Sequence, residues 1–150
     1  ENKINIPLLL KISPDIKDNQ ISEIAVSAIK NDISGIILTN TTNSNKDKLI
    51  SDFKKEEGGL SGEPLQQIST NMIKKFYKQL NGKIPIIGVG GVNSGKSAYE
   101  KIIAGASLLQ LYTGLVYKGP SIVKNIKKEL IQILKAEGLN NIKDAIGKNL

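Results

Sequence analysis

The 150-residue sequence contains neither cysteine nor histidine, and these two absences remove several classes of chemistry. Without cysteine the chain forms no disulfides and no thiolate metal sites. Without histidine it cannot supply a Ser-His-Asp or Cys-His catalytic group, or any histidine-based metal site. A reducing compartment is compatible with this composition.

Aromatic residues and long apolar runs are also scarce. The two phenylalanines and four tyrosines offer little for base stacking, and the lysines behind the net charge of +7 are scattered along the chain. We therefore expect a solvated basic surface and no nucleic-acid binding. No run of 18 apolar residues and no signal peptide is visible, so no membrane span is predicted. Because the first residue is Glu1 and not methionine, the chain is expected to be part of something longer.

What is present is a regular alternation of short apolar runs and helical patterns. The apolar runs predict strands at 7–12, 35–40, 84–89 and 107–112. Helical spacing follows each of them, and a long polar loop at 41–59 precedes the second helix. The predicted apolar positions of the four helices are Ile21, Ile24, Ala25, Ala28 and Ile29; Leu65, Ile68, Met72, Ile73, Phe76 and Leu80; Ala98, Ile102 and Ile103; and Ile122, Val123, Ile126, Leu130 and Leu134. A short helix at 142–146 closes the chain.

Strands that are each followed by a helix predict a parallel sheet, because parallel neighbours need a crossover connection. The almost wholly apolar strands fit burial on both faces. Two α/β architectures satisfy this pattern: an open doubly wound sheet, or part of a (β/α)₈ barrel. The length, a little over half of a typical barrel of about 250 residues, favours the incomplete barrel.

The stretch Gly90–Ser97, "GGVNSGKS", matches the P-loop pattern G-x-x-x-x-G-K-[ST] after a strand and before a helix. A P-loop enzyme also needs a carboxylate at a neighbouring strand end to organise magnesium, and none of the predicted strand ends carries one. The alternative is a barrel phosphate site, in which backbone N–H groups freed by Gly90, Gly91 and Gly114 face a phosphate. A third interpretation is that these glycines only serve tight strand-to-helix turns.

A resemblance to a known family is carried by six segments that together span about 7–147. They are "LLLKISPD", "GIILTNTT", "GGLSGEPL", "IPIIGVGGVNSG", "AGASLLQLYTGLVYKGP" and "DAIG". In these segments the chain resembles the C-terminal half of class 2, quinone-dependent dihydroorotate dehydrogenases. The "NTT" and "LYTGLVYKGP" blocks resemble the soluble class 1 enzymes less. In this interpretation the P-loop match is accidental, and Lys96 and Ser97 lie on the surface of a helix.

The resemblance implies a flavoprotein built on a (β/α)₈ TIM barrel, of which residues 1–150 supply about the last four βα units as a single partial domain. Its expected reaction is the FMN-dependent oxidation of (S)-dihydroorotate to orotate in de novo pyrimidine biosynthesis, with a quinone as electron acceptor. A class 1-like barrel dehydrogenase with a soluble acceptor, and a P-loop phosphotransferase using Gly90–Ser97, remain the alternatives. Expected partners are dihydroorotate or orotate, the quinone and the N-terminal half of the barrel.

The resemblance also assigns roles to individual residues. Lys11 is expected beside the flavin ring, where a fixed ammonium would stabilise the negative charge that develops on reduction. Asn40 and Thr41 are expected to bind the pyrimidine acid through an amide and a hydroxyl. The further expected contacts to FMN are Thr39, Gly62, Gly91, Tyr112 and Thr113, and the expected quinone-channel positions are Leu115, Val116 and Pro120.

Some of the expected machinery has no counterpart in these 150 residues. The family's catalytic base is a serine in the first half of the barrel, so no catalytic base is expected here, only the supporting Lys11. The membrane-docking helices of the family also precede the barrel, and a peripheral location on a bacterial or mitochondrial inner membrane is expected to depend on them. Residues 1–150 alone are expected to be inactive, and no metal site is expected.

Overall fold

The computed structural model describes residues 6–44 and 46–150, which form one parallel sheet with helices between its strands. The strands are β1 (Leu9–Ile12), β2 (Gly35–Leu38), β3 (Ile86–Gly88) and β4 (Leu108–Leu109). The helices are α1 (Asp18–Lys30), α2 (Gln66–Leu80), α3 (Gly95–Ile103), α4 (Thr113–Lys118) and α5 (Ser121–Ala136). Short 3₁₀ turns lie at Lys46–Lys48, Asp52–Lys55, Glu63–Leu65 and Ile142–Ala145.

The order of the strands in the sheet is the order in the chain, β1-β2-β3-β4. Leu10 pairs with Ile36, Ile36 with Ile86, and Ile87 with Leu108, all in parallel register. An open doubly wound sheet reverses its strand order at a switch point, and no such reversal occurs in this sheet. The sequential order is instead that of a barrel.

Two apolar clusters hold the layers together. The larger contains Ile36, Phe76 and Ile86 and joins α1 and α2 to the first three strands. The smaller contains Val92, Ala98, Ile122 and Ile126 and joins α3 to α5. Burying such side chains removes apolar surface from water, which is the main stabilising term of the fold. One predicted core position is wrong: Val123 is 45% exposed, because Ile122 and Ile126, four residues apart, carry the buried face of α5.

All four strands are shorter than predicted, and the largest local differences from the predictions are three. Helix α4 was not predicted, because its six residues are too few to show a helical period. The fourth strand is two residues long, against six predicted. The long polar loop is closed at its base by an antiparallel bridge between Thr42 and Leu60, which brings 40–42 close to 60–62 at the same end of the sheet.

Candidate active site at the carboxyl ends of the strands

Two adjoining cavities open over the carboxyl ends of the four strands. The smaller has a volume of about 170 Å³ and the larger about 580 Å³. They share the lining residues Ser61, Gly62, Gly91, Val92, Thr113 and Gly114. All eight residues predicted to bind cofactor or substrate line the smaller cavity: Lys11, Thr39, Asn40, Thr41, Gly62, Gly91, Tyr112 and Thr113. The fold therefore brings together positions that are up to about a hundred residues apart in the chain.

Thr39 follows β2 directly and contributes the most unusual polar atom of the site. Its backbone N–H donates to the carbonyl of Val89, so the residue is held at the carboxyl end of β2, beside the end of β3. The side chain is 2% exposed, and its hydroxyl Oγ1 has no hydrogen-bond partner among the described residues. A buried hydroxyl without a partner costs about 1–3 kcal/mol, and such groups are rare in folded proteins. Because Thr39 lines the smaller cavity, a bound ligand could supply the missing partner.

Asn40 and Thr41 lie on an exposed loop that is anchored on both sides. The N–H of Asn40 donates to the carbonyl of Ile12, and its side-chain oxygen accepts the N–H of Thr41 at 2.9 Å. Beyond them, the carboxylate of Asp15 accepts the hydroxyl of Thr42 and the N–H of Asn43. This loop is therefore tied to the end of β1, which carries Lys11.

The pKa of Asp15 reflects the hydrogen bonds that its carboxylate accepts from this loop. Burial alone would raise the pKa of Asp15, but hydrogen bonds from Thr42, Asn43 and Ser44 outweigh it and hold the pKa below its usual value. From the sequence, no role is predicted for Asp15. Its position after β1, opposite the predicted substrate loop, is the signal that could have revealed it.

The glycines of the site allow close approach between its elements. Gly91 has a φ of +71°, and a Cβ added there would lie 2.7 Å from Cα of Gln66, at the start of α2. A Cβ on Gly62 would meet the Thr113 side chain at 3.0 Å, and Ser61 accepts a hydrogen bond from the Thr113 hydroxyl at 2.9 Å. The three loops after β2, β3 and β4 are therefore packed directly against one another.

Backbone N–H groups collect where the two cavities meet. In the part of the chain that the structure describes, the N–H groups of Gly91, Val92, Thr113 and Gly114 donate to no protein acceptor. All four residues line both cavities. A group of free backbone donors at strand-to-helix turns is typical of a phosphate site.

The side chains of the P-loop match point elsewhere. Lys96 is exposed, as predicted. The prediction that Ser97 also lies on the surface is wrong, because Ser97 is 2% exposed. The Ser97 hydroxyl accepts the N–H groups of Asn93 and Ser94 at 2.9 and 3.0 Å, and so caps α3. Neither Lys96 nor Ser97 lines either cavity. A nucleotide triphosphate site needs both side chains at the phosphates or the metal, so the P-loop alternative is not favoured.

The described residues offer neither a metal site nor a membrane span. Within residues 6–44 and 46–150 there is no cluster of three or more acidic side chains that could hold a metal ion. None of the helices described is long and apolar enough to cross a membrane. The predicted quinone-channel residues Leu115 and Val116 are on α4, 40% and 68% exposed, and line neither cavity.

A parallel sheet in sequential order, with a cleft at the carboxyl ends of its strands, is typical of a segment of a β/α barrel. Comparison with known proteins makes the class specific. The family model described as dihydroorotate dehydrogenase matches residues 1–134. The chain therefore belongs to the dihydroorotate dehydrogenase family.

Similar proteins are found in bacteria and in mitochondria. The chain is 47% identical, over 94% of its length, to dihydroorotate dehydrogenase (quinone) of Xanthobacter autotrophicus, of which it covers 40%. It is 49% identical, over 93% of its length, to the mitochondrial dihydroorotate dehydrogenase (quinone) of Mus musculus, of which it covers 35%. DHODH of Eimeria tenella, crystallised with ferulenol, superposes with a TM-score of 0.91 at 42% identity, over 95% of this chain and 38% of that one. The predicted fold class, part of a (β/α)₈ barrel, is confirmed.

Proposed function

We propose that this chain contributes the flavin- and substrate-binding edge of an enzyme that oxidises (S)-dihydroorotate to orotate and passes the electrons to a quinone. The curated relatives named above carry this activity in their names, but the chain spans only 35–40% of the mouse and Xanthobacter proteins. The observation that supports the proposal most directly is the buried hydroxyl of Thr39, which has no partner among the described residues and belongs to a residue that lines a cleft with free backbone donors. The proposed reaction is expected to be a step of de novo pyrimidine biosynthesis.

FMN is the cofactor that these features fit. A flavin offers ring nitrogens and carbonyls that can pair with the Thr39 hydroxyl, and a phosphate that can accept from backbone N–H groups. Gly62, Gly91 and Thr113 line both cavities, where those donors collect, and Tyr112 lines the smaller one, so we assign all four to the cofactor. When bound, FMN supplies the hydride and electron transfer that no side chain of this sequence can perform.

The remaining side chains of the smaller cavity suit an anionic substrate. Lys11 brings an ammonium to the end of β1, where it can stabilise negative charge that develops in the cavity during the reaction. Asn40 and Thr41 present an amide and a hydroxyl, which match the amide and carboxylate groups of a pyrimidine acid. The loop anchored by Asp15 keeps both of them at the entrance to the cavity.

The same proposal assigns several functions to residues outside this sequence. The base that removes the substrate proton, a serine in the family, is placed in the N-terminal half of the barrel, together with further contacts to flavin and orotate. Helices that precede the barrel would hold the protein on a bacterial or mitochondrial inner membrane and deliver the quinone. Leu115, Val116 and Pro120 would face that quinone from this chain.

The proposal is tested with the complete protein. Purified protein should show a flavin absorbance spectrum that bleaches when dihydroorotate is added without oxygen and recovers with a quinone. Lys11→Ala should slow the bleaching by about 10²–10³-fold, the range for loss of a preorganised donor at a reacting centre. Lys30→Ala, which removes an exposed lysine from the end of α1, is the matched control. A colourless protein, or one whose flavin dihydroorotate does not reduce, would refute the proposal.

A further inference from the structure

Lys101 is a lysine placed at a core position of α3. It stands three residues after Ala98 and next to Ile102, both of which are buried, and it is 0% exposed itself. Its ammonium donates to the hydroxyls of Ser69 at 3.0 Å and Thr70 at 3.1 Å. It also lies 3.3 Å from the carbonyl oxygen of Gln66. All three acceptors belong to the first turns of α2.

These acceptors are neutral, so the buried charge is only weakly compensated. No carboxylate lies within ion-pair distance of Lys101 in the part of the chain described. The nearest acidic side chain in sequence, Glu100, accepts a hydrogen bond from the Gln66 amide at 2.7 Å. Burial lowers the pKa of Lys101 to about 8, and the attraction of Glu100 offsets this only in part. A lysine is rarely kept in such a place without a partner of opposite charge.

The hydrogen bonds around Lys101 continue to the cofactor cleft. The Ser69 hydroxyl donates to the carbonyl of Val89 at 2.5 Å, directly before the Gly90-Gly91 turn, and lies 3.4 Å from the carbonyl of Leu38, directly before Thr39. Gly91 packs on the backbone of Gln66, whose carbonyl faces the ammonium. Lys101 is therefore one residue layer behind the backbone donors assigned to the phosphate.

We propose that Lys101 is a positioning residue of the phosphate site. Its ammonium holds the start of α2 against the turn after β3, and its positive charge favours a phosphate on the open side of that turn. This inference rests on the flavin assignment made above and names the part of the cofactor that Lys101 serves. A residue that only stabilises the fold would affect FMN and riboflavin binding equally, whereas this role affects only the ligand with a phosphate.

The test compares FMN with riboflavin, which lacks the phosphate, in Lys101→Met of the complete protein. Methionine keeps the length of the side chain, and the Thr70 and Ser69 hydroxyls retain the carbonyls of Gln66 and Val89 as acceptors. Replacing a buried charge by an apolar side chain of similar size is often tolerated, so the variant is expected to fold. Lys96→Met, an exposed lysine on the same helix, is the matched control for loss of one charge.

Dissociation constants are measured by flavin fluorescence on protein stripped of its cofactor, with circular dichroism as the check on folding. We expect Lys101→Met to weaken FMN binding by about tenfold or more, because the attraction between the ammonium and the phosphate is lost. Riboflavin binding should weaken by less than about twofold, because riboflavin carries no phosphate. Lys96→Met should bind both ligands as the parent does. Equal weakening of both ligands, or unchanged FMN binding, would overturn the role of Lys101.

If Lys101→Met does not fold, the affinities of the parent protein for FMN and riboflavin provide a second test. A parent that binds FMN no more than about threefold better than riboflavin has no phosphate contribution for Lys101 to support, which would overturn the inference. A parent that binds neither ligand would instead overturn the flavin assignment itself. A strong preference for FMN that survives Lys101→Met would overturn the inference alone.

Discussion

Replacing Thr39 by valine should change protein stability and cofactor affinity in opposite directions. The substitution keeps the branched shape but exchanges the hydroxyl Oγ1 for a methyl group. Because Oγ1 is buried without a partner among the described residues, its removal takes away an unfavourable desolvation term. The cofactor-free protein should therefore be as stable as the parent or more stable, by up to about 1–2 kcal/mol.

FMN binding by the same variant should become weaker. If the Thr39 hydroxyl pairs with the cofactor, its loss leaves a polar group of the ligand unpaired, at a cost of about 1–3 kcal/mol. That cost corresponds to a dissociation constant raised by about 5-fold to 150-fold. The assay is urea unfolding of the stripped complete protein together with FMN titration followed by fluorescence.

Thr42→Val provides the matched control. Thr42 is as deeply buried, at 1% exposed, but its hydroxyl donates to Asp15 and accepts the N–H of Ser44 at 3.0 Å. Its replacement should lower the free energy of unfolding by about 1–3 kcal/mol, because a buried hydrogen bond to a charged group is lost. If Thr39→Val destabilises the stripped protein as much as Thr42→Val does, or leaves FMN affinity unchanged, the assignment of Thr39 to the cofactor is refuted.

Three further predictions concern the loops of the site. Gly91→Ala should release FMN and should destabilise the protein by about 1–3 kcal/mol more than the control Gly82→Ala. Both glycines have a positive φ, +71° and +74°, but only a Cβ on Gly91 would meet a neighbour. Equal midpoints of urea unfolding for the two variants would contradict this prediction. Asn40→Ala should weaken orotate binding by about 1–3 kcal/mol in calorimetry with FMN still bound, and unchanged affinity would make Asn40 a turn residue only. Asp15 has a pKa below its unfolded value of 3.8, so its stabilising contribution is complete above about pH 4 and is lost as the pH falls through the folded pKa. Asp15→Asn should therefore flatten the acid limb of the stability–pH curve, and an unchanged limb would remove Asp15 from the loop anchor.

Much of the fold could be predicted because it depends on periodicity. The helical spacing of Met72, Ile73, Phe76 and Leu80 shows which face of α2 is buried, and the structure buries all four. Strand-to-helix alternation likewise led to parallel pairing. The choice between a doubly wound sheet and a barrel could not be made from periodicity, because it depends on which strands become neighbours across crossovers.

Local features with no period could not be predicted in this way. Helix α4 is shorter than two helical turns, and its exposed apolar side chains Val116 and Tyr117 do not mark a buried face. Lys101 was missed for a different reason. Its position in α3 belongs to the buried face, but lysine is normally a surface residue, so the spacing of Ala98 and Ile102 was the only signal.

The candidate site could be located from the sequence only because strand ends converge in a parallel sheet. Lys11, Thr39 and Tyr112 lie at the ends of predicted strands, and the family resemblance assigns all three to the flavin. The anchoring by Asp15 and Ser69 required coordinates, since both act through hydrogen bonds to residues far away in the chain. Physical chemistry of the residue types alone could not have paired them.

The P-loop match shows why a sequence pattern needs a structural reason for each of its letters. Gly90 adopts a φ of +113° beside Leu65 and Ser69, so it serves the turn after β3. Gly95 serves a different contact, because a Cβ there would lie 2.2 Å from Cβ of Glu129 on α5. Lys96 is exposed, and the Ser97 hydroxyl is occupied in the cap of α3. Gly90, Gly95 and Ser97 therefore meet three separate structural requirements, and Lys96 lies on the surface. None of these roles is the side-chain recognition of a triphosphate. A phosphate at this turn would be bound by backbone N–H groups, which leave only glycines as their trace in a sequence.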